Sequence, residues 1–286
     1  MLNTLNERTK PHDDTAIDSH IALLGDDVLL ILVLLPLIIS FFYAMYRHTS
    51  KARVIAQREL ALTKVKQEAF DLQKNILTMM GKAIECRSGE TGSHVKRVAQ
   101  LSYYVGKLYG LSDAECEVLK VISPMHDIGK IAISEKILDK PGKLNHDEFE
   151  VMKRHTTEGY KLLSSGRGHL MEMAAIVAHE HHEKWDGSGY PNGKVAEEIH
   201  IYGRITAIVD VIDALLSQRP YKEPWSVYQV KELLKGESGK HFQPELVDLI
   251  LAHFSNIIDV RNAAMTKNEP RQNNMSELEG NGWLVN

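Results

Sequence analysis

The chain has 286 residues, 43% hydrophobic and 25% charged, a globular composition that excludes a disordered or collagen-like chain and leaves room for one or two domains. Thirty-four basic against 38 acidic residues give a net charge of −4, which argues against a polymeric nucleic acid as partner, because a phosphate backbone asks for a basic surface. Two cysteines, Cys86 and Cys116, argue against a disulfide-stapled secreted fold, whereas 14 histidines, with a crowd between His94 and His182, call for a metal or a proton-transfer explanation.

Residues 1–27 are polar and acidic, with Glu7, Asp13, Asp14, Asp18, Asp26 and Asp27 against Arg8 and Lys10. Residues 28–46 follow without a charge, from Val28 to Tyr46; at about 1.5 Å per residue such a helix spans roughly the hydrocarbon thickness of a bilayer. Pro36 is tolerated in a membrane helix, and Phe41, Phe42, Tyr43 and Tyr46 gather at one end as an interfacial belt does. Beyond it, Arg47, Lys51, Arg53, Arg58, Lys64 and Lys66 face a single acid, Glu59. The expected topology is therefore a single-pass anchor in a bacterial inner membrane, N-terminus outside and the remainder cytoplasmic. A cleaved signal peptide is the rival; the acidic leader and the lack of a small-x-small site weigh against it.

Residues 47–76 read as a cytoplasmic helical linker, with no Gly or Pro from Lys51 until Gly81. One heptad frame aligns Ile55, Leu62, Ala69 and Ile76 at one core position and Arg58, Val65, Leu72 and Met79 at the other, a seam for a parallel homodimer or for packing on its own domain. The outer segment is too short for a sensor domain, so the input is expected from a membrane or signalling partner, or through the helix from Lys51 to Met80. Residues 77–260 show helical patterning throughout. Asn145 followed by Glu148 marks a helix start. The polar stretch 261–286 reads as a disordered tail.

The dipeptide His-Asp occurs three times, at His12, His126 and His146, so the dipeptide alone carries little weight. His126-Asp127 differs by its company: Glu90 and His94 upstream, four apart and on one face if that segment is helical, then His155, His181-His182-Glu183 and Asp210 downstream. This set of imidazoles and carboxylates suffices for more than one metal, and nitrogen/oxygen ligation without thiolate favours iron, manganese or zinc. His179 precedes the His pair, but adjacency alone does not recruit it. His146, His169, His200, His241 and His253 have no partner pattern and read as solvated or packed.

The run HDIGK from His126 to Lys130, Lys140-Pro141-Gly142, HHEKWDGSGYP from His181 to Pro191, DVIDAL from Asp210 to Leu215, RPYK from Arg219 to Lys222 and GKHFQPELV from Gly239 to Val247 resembles the HD-GYP family, a branch of the HD metal-dependent phosphohydrolases. The resemblance covers roughly Leu77 to Val260. It implies an all-α HD-type catalytic domain over 77–260 that hydrolyses cyclic di-GMP to the linear dinucleotide, to GMP, or both. It implies two or three divalent metals, iron or manganese, held by Glu90, His94, His126, Asp127, His155, His181, His182 and Asp210, with Asp127 bridging two of them. Glu90 matches the residue that favours a third metal. Lys130 matches the lysine on the scissile phosphate, and Arg219 and Lys222 match basic residues that engage substrate. Gly189, Tyr190 and Pro191 form the name-giving loop. It also implies a diguanylate-cyclase-type partner as one candidate for signalling contacts.

Departures from the family pattern are Ser134-Glu135 after HDIGKI, Gln243, and His200 where a proline is common; none removes a ligand. Two other readings stand beside the first: a hydrolase of another cyclic dinucleotide, and a catalytically silent docking module, whose signature would be lost ligands.

Overall fold

The computed structural model describes residues 14–88, 93–218 and 223–266. It is all-α, and the described residues hold no strand beyond two isolated bridges. The chain divides into two compact units, Met1–Glu68 and Ala69–Asn286.

The first unit is helix α1, Asp14–Ser88, as far as Glu68. α1 carries one segment long and apolar enough, by length and composition, to cross a membrane. Its residues from Val28 to Tyr46 are all exposed, Leu34 the least of the large apolar ones at 45%.

The second unit opens with the end of α1, followed by α2 (His94–Tyr109), α3 (Asp113–Ile122), the short α4 (Glu135–Leu138), α5 (His146–Ser164), α6 (His169–Glu180), α7 (Ile201–Leu216), α8 (Val227–Gly236), α9 (Pro244–Ala252) and α10 (Phe254–Thr266). Local sequence fixes several starts. The Ser112 hydroxyl accepts the Glu115 amide and the Glu115 carboxylate accepts the Ser112 amide. Asn145 and Glu148 do the same for α5, where the sequence predicts a helix start, and Ser226 and Gln229 for α8. Each cap satisfies amides that the first turn leaves without an internal partner.

The core lies where α2, α3, α6, α7 and α10 meet. Leu101, Leu119, Ile122, Val177, Ile205, Ile208 and Phe254 are all at most 1% exposed, and each stabilises the fold by about 1.5–3 kcal/mol. Leu77 and Ile84 of α1 join this cluster.

Gly81 does not end α1, although it is the first glycine after Gly25. A Cβ there would lie 2.7 Å from Met125 Cε, so its absence lets α1 close on the segment just before His126, and that packing outweighs glycine's low helix propensity. At the other end, α10 runs on to Thr266, into the stretch that polarity alone reads as a tail, because its buried residues Phe254 and Ile257 seat it on the core. Residues 267–286 lie outside the described residues.

Candidate metal centre

His126 and Asp127 occupy the joint between two short 3₁₀ turns, Ser123–Met125 and Ile128–Ala132. The second turn presses on α5 so closely that a Cβ on Gly129 would lie 1.8 Å from the His155 carbonyl oxygen and 2.4 Å from the Gly159 nitrogen. Only glycine permits that approach, and it brings His155 to the His-Asp pair. His181 follows at the C-terminal end of α6, His94 stands at the first position of α2, and Asp210 is on α7.

These residues form two triads. His155, His181 and His182 make one, and His94, His126 and Asp210 the other; within each, one donor atom per residue lies within 4.8 Å of the other two. Asp127 faces both. Its Oδ1 lies 3.4 Å from His155 Nε2 and 3.9 Å from His181 Nε2, while Oδ2 lies 3.4 Å from His126 Nε2. Lys130 donates to Asp127 Oδ2 from one turn along the chain.

The backbone settles which ring nitrogens face inward. His126 Nδ1 donates to Ser123 O at 2.9 Å, His155 Nδ1 to Met152 O at 2.7 Å, and His181 Nδ1 to Ala178 O at 3.1 Å. A carbonyl only accepts, so Nδ1 carries a proton in each and Nε2 is the atom turned to the centre, where a metal would take the place of a second proton. His94 Nδ1 donates likewise to Asp213 Oδ2 at 2.8 Å.

Electrostatics favour a cation here. Burial would push Asp127 up, but Lys130, His126 and His155 hold its carboxyl well below the usual range. Burial would push His126 down, yet Asp127 and then Asp210 raise it above an ordinary imidazole. Burial lowers His181, and the neighbouring imidazoles of His182, His126 and His155 lower it further. Burial and His155 take His182 down to about 3. Those two rings stay neutral and basic-faced far into acid, as metal ligands must be. His126 Nε2 is buried without a hydrogen-bond partner among the described residues, 3.4 Å from Asp127 and 3.7 Å from Asp210. Convergent nitrogen and carboxylate donors, with His155 Nε2 only 3.2 Å from His181 Nε2 and no thiolate in the set, fit hard or borderline divalent metals.

The loop after His182 is held by buried carboxylates. Tyr190 N donates to His182 O, Glu183 accepts the amides of Asn192 at 2.7 Å and Lys194 at 3.0 Å, and Glu180 accepts His200 N at 2.6 Å. A Cβ on Gly189 would meet Lys184 N at 2.2 Å, so the loop folds back on its own start. The Tyr190-Pro191 peptide bond is cis. The Tyr190 ring lies 4.8 Å from that of His182, and Phe149 and Lys153 of α5 flank it.

Of the residues expected at the site, Glu90, Arg219 and Lys222 lie outside the described residues. α2 begins at His94 with Ser93 as its cap. His146-Asp147 is exposed on the surface, and His12-Asp13 is outside the described residues. His179 turns away to stack on Tyr160 at 4.6 Å. His200 caps α7, its Nδ1 accepting the Tyr202 amide, and Gln243 is buried with its Oε1 accepting from Arg204. Sequence reasoning missed Arg97, Glu180, Asp213 and Arg261. Asp213 carried the one available signal, since it lies three residues after Asp210 on the same helix.

Residues 78–246 match the family described as the HD domain. The chain is 46% identical over 191 residues to a 3′3′-cGAMP-specific phosphodiesterase of Vibrio cholerae serotype O1, covering 67% of this chain and 37% of the relative. It is 40% identical over 201 residues to a cyclic di-GMP phosphodiesterase response regulator of Xanthomonas campestris pv. campestris, covering 70% and 53%. It is 38% identical over 222 residues to a cyclic di-GMP phosphodiesterase of Thermotoga maritima, covering 76% and 60%. The chain thus spans between 37% and 60% of the length of these curated relatives. The crystal structure of a cyclic GMP-AMP specific phosphodiesterase of V. cholerae shares the fold, with a TM-score of 0.52 at 18% identity, over 68% of this chain and 53% of that one.

Proposed function

The chain belongs to the HD-domain family, in its HD-GYP branch, and from that premise we propose that it is a metal-dependent phosphodiesterase that opens cyclic di-GMP to the linear dinucleotide and then to GMP. The observation that carries this reading is Asp127, one half-buried carboxylate facing two donor triads. His155, His181 and His182 would hold one metal and His94, His126 and Asp210 another, with Asp127 shared and Glu90 available to a third. Iron or manganese suits these donors. Divalent ions bound there supply Lewis-acid charge at the phosphate and lower the pKa of water to near neutrality.

The chain's own residues supply the rest. Lys130 keeps an ammonium beside Asp127 with its side chain partly open to solvent, where it neutralises charge that builds on the phosphate. Arg219 and Lys222 would engage the substrate. The carbonyls of Ser123, Met152 and Ala178 keep Nδ1 protonated and the lone pairs of His126, His155 and His181 turned inward. We place the catalytic domain at 77–260, on the cytoplasmic side of an inner-membrane helix at 28–46, with residues 1–27 outside. The linker of 47–76 would pair two copies, as the exposure of Ile55, Leu62, Val65, Leu72 and Ile76 supports.

A second reading has one observation in its favour, the 46% identity to a relative named for 3′3′-cGAMP. The metal centre is indifferent to the bases, so separate turnover of the two cyclic dinucleotides by the full chain in detergent decides. We expect kcat/KM to favour cyclic di-GMP, with the linear dinucleotide appearing before GMP. Preference for 3′3′-cGAMP by about tenfold would install the second reading, and turnover of neither would leave a silent docking module.

A further inference from the structure

We propose that Arg261, on the C-terminal helix α10, is a positioning residue for the metal ligand His94 and acts through Asp213. This rests on the reading of His94, His126 and Asp210 as a metal triad. Asp213 is fully buried on α7, and its two carboxylate oxygens are shared among three residues, His94 and Arg97 of α2 and Arg261 of α10. Oδ1 accepts from Arg97 Nε at 2.6 Å and from Arg261 Nε at 2.9 Å. Oδ2 accepts from Arg97 Nη2 at 2.9 Å and from His94 Nδ1 at 2.8 Å.

Ser217 joins the guanidinium groups, its hydroxyl accepting from Arg97 Nη2 at 3.0 Å and Arg261 Nη2 at 2.8 Å while donating to Asp213 O at 2.7 Å. The Arg261 side chain is 11% exposed. A carboxylate that accepts from an imidazole Nδ1–H fixes the tautomer and the ring plane, which aims Nε2. Arg97 grips both oxygens and Arg261 holds Oδ1 from the other helix, so the two guanidinium groups together fix the plane in which Oδ2 meets His94.

Two features distinguish Arg261 from an ordinary surface arginine. It spends both of its inward nitrogens on this one network, and it lies beyond residues 78–246, the part that matches the family. The C-terminal helix is therefore part of the ligand-orienting apparatus, and a piece ending at Val260 would leave out the group that completes it.

The test is Mn²⁺ binding to the full chain in detergent, by calorimetry and by metal content, for wild type, Arg261→Ala, Arg261→Lys and Ile257→Ala. Ile257 is a buried core residue of the same helix that is not among the partners of Asp213, so its truncation loosens α10 without touching the network. Arg261→Ala is expected to weaken one class of Mn²⁺ sites by roughly ten- to a hundredfold, and Arg261→Lys, which keeps the charge but not the fork, by less. Ile257→Ala is expected to lower Tm and leave Mn²⁺ affinity as in wild type. If Arg261→Ala fails to fold, the comparison of Arg261→Lys with Ile257→Ala carries the same decision. Wild-type Mn²⁺ affinity in the arginine variants, or equal loss in Ile257→Ala, would overturn the assignment. A wild type that binds no Mn²⁺ would instead overturn the metal reading beneath it.

Discussion

Asp127→Asn is expected to lower turnover of cyclic di-GMP by about a thousandfold or more, the scale on which removal of one preorganised charged group acts, and to reduce the metal content of the purified chain. The substitution keeps the shape of the side chain and removes the one charge that faces both triads. In the protein as folded, Oδ1 stands toward His155 and His181, and Oδ2 toward His126 and Lys130. An amide presents a single neutral acceptor and, on its other side, an NH₂ group that donates to an Nε2 lone pair and so ties up a donor that a metal would need. It also removes the charged carboxylate oxygen to which Lys130 donates. Steady-state kinetics together with metal content of the variant check this. Turnover within tenfold of wild type would mean that Asp127 serves the fold and not the reaction.

Gly129→Ala is expected to destabilise the catalytic unit by about 3 kcal/mol, at the upper end of overpacking costs, which lowers Tm by roughly 6–12 °C for a unit of this size. The added methyl meets backbone on α5, the His155 carbonyl oxygen at 1.8 Å and the Gly159 nitrogen at 2.4 Å, and backbone cannot rotate away as a side chain can. Relief requires the turn at Ile128–Ala132 to lift from α5, which carries His155 away from Asp127, so turnover should fall together with stability. Gly236→Ala is the control: nothing lies within 4 Å of a Cβ there, and this change should leave Tm unaltered or raise it slightly. Thermal unfolding of both variants decides. A Gly129→Ala protein with wild-type Tm would mean that α5 does not sit on that turn.

The parts of the centre that the sequence made legible are those written in short motifs. His126-Asp127, His181-His182 and Asp210 each sit among neighbours with recognisable spacing, and Asn145 with Glu148 announces α5 by a rule that acts within one turn. The parts that stayed hidden are held by partners far apart in the chain. Asp213 reaches Arg97 across 116 residues and His94 across 119, and Arg261 returns to it across 48; no local period encodes such pairs. Gly81 shows the same limit from the other side. Propensity reads it as the end of α1, whereas the helix continues because the missing side chain makes room for Met125. Arg261 was hidden twice over, once by its distance and once by a polar C-terminal sequence that reads as tail. His200 and Gln243, departures from the family pattern, take up roles of their own as a helix cap and as a buried acceptor for Arg204.

Metal-dependent turnover tests the central claim most directly. The full chain is stripped of metal with a chelator, its metal content counted, and cyclic di-GMP hydrolysis followed as Mn²⁺ or Fe²⁺ is returned under anaerobic conditions. The stripped chain is expected to show no hydrolysis, activity to recover as metal content rises to two or three ions per chain, and the linear dinucleotide to be released ahead of GMP. Full loading without hydrolysis of any cyclic dinucleotide, or hydrolysis that persists in the stripped chain, would contradict it.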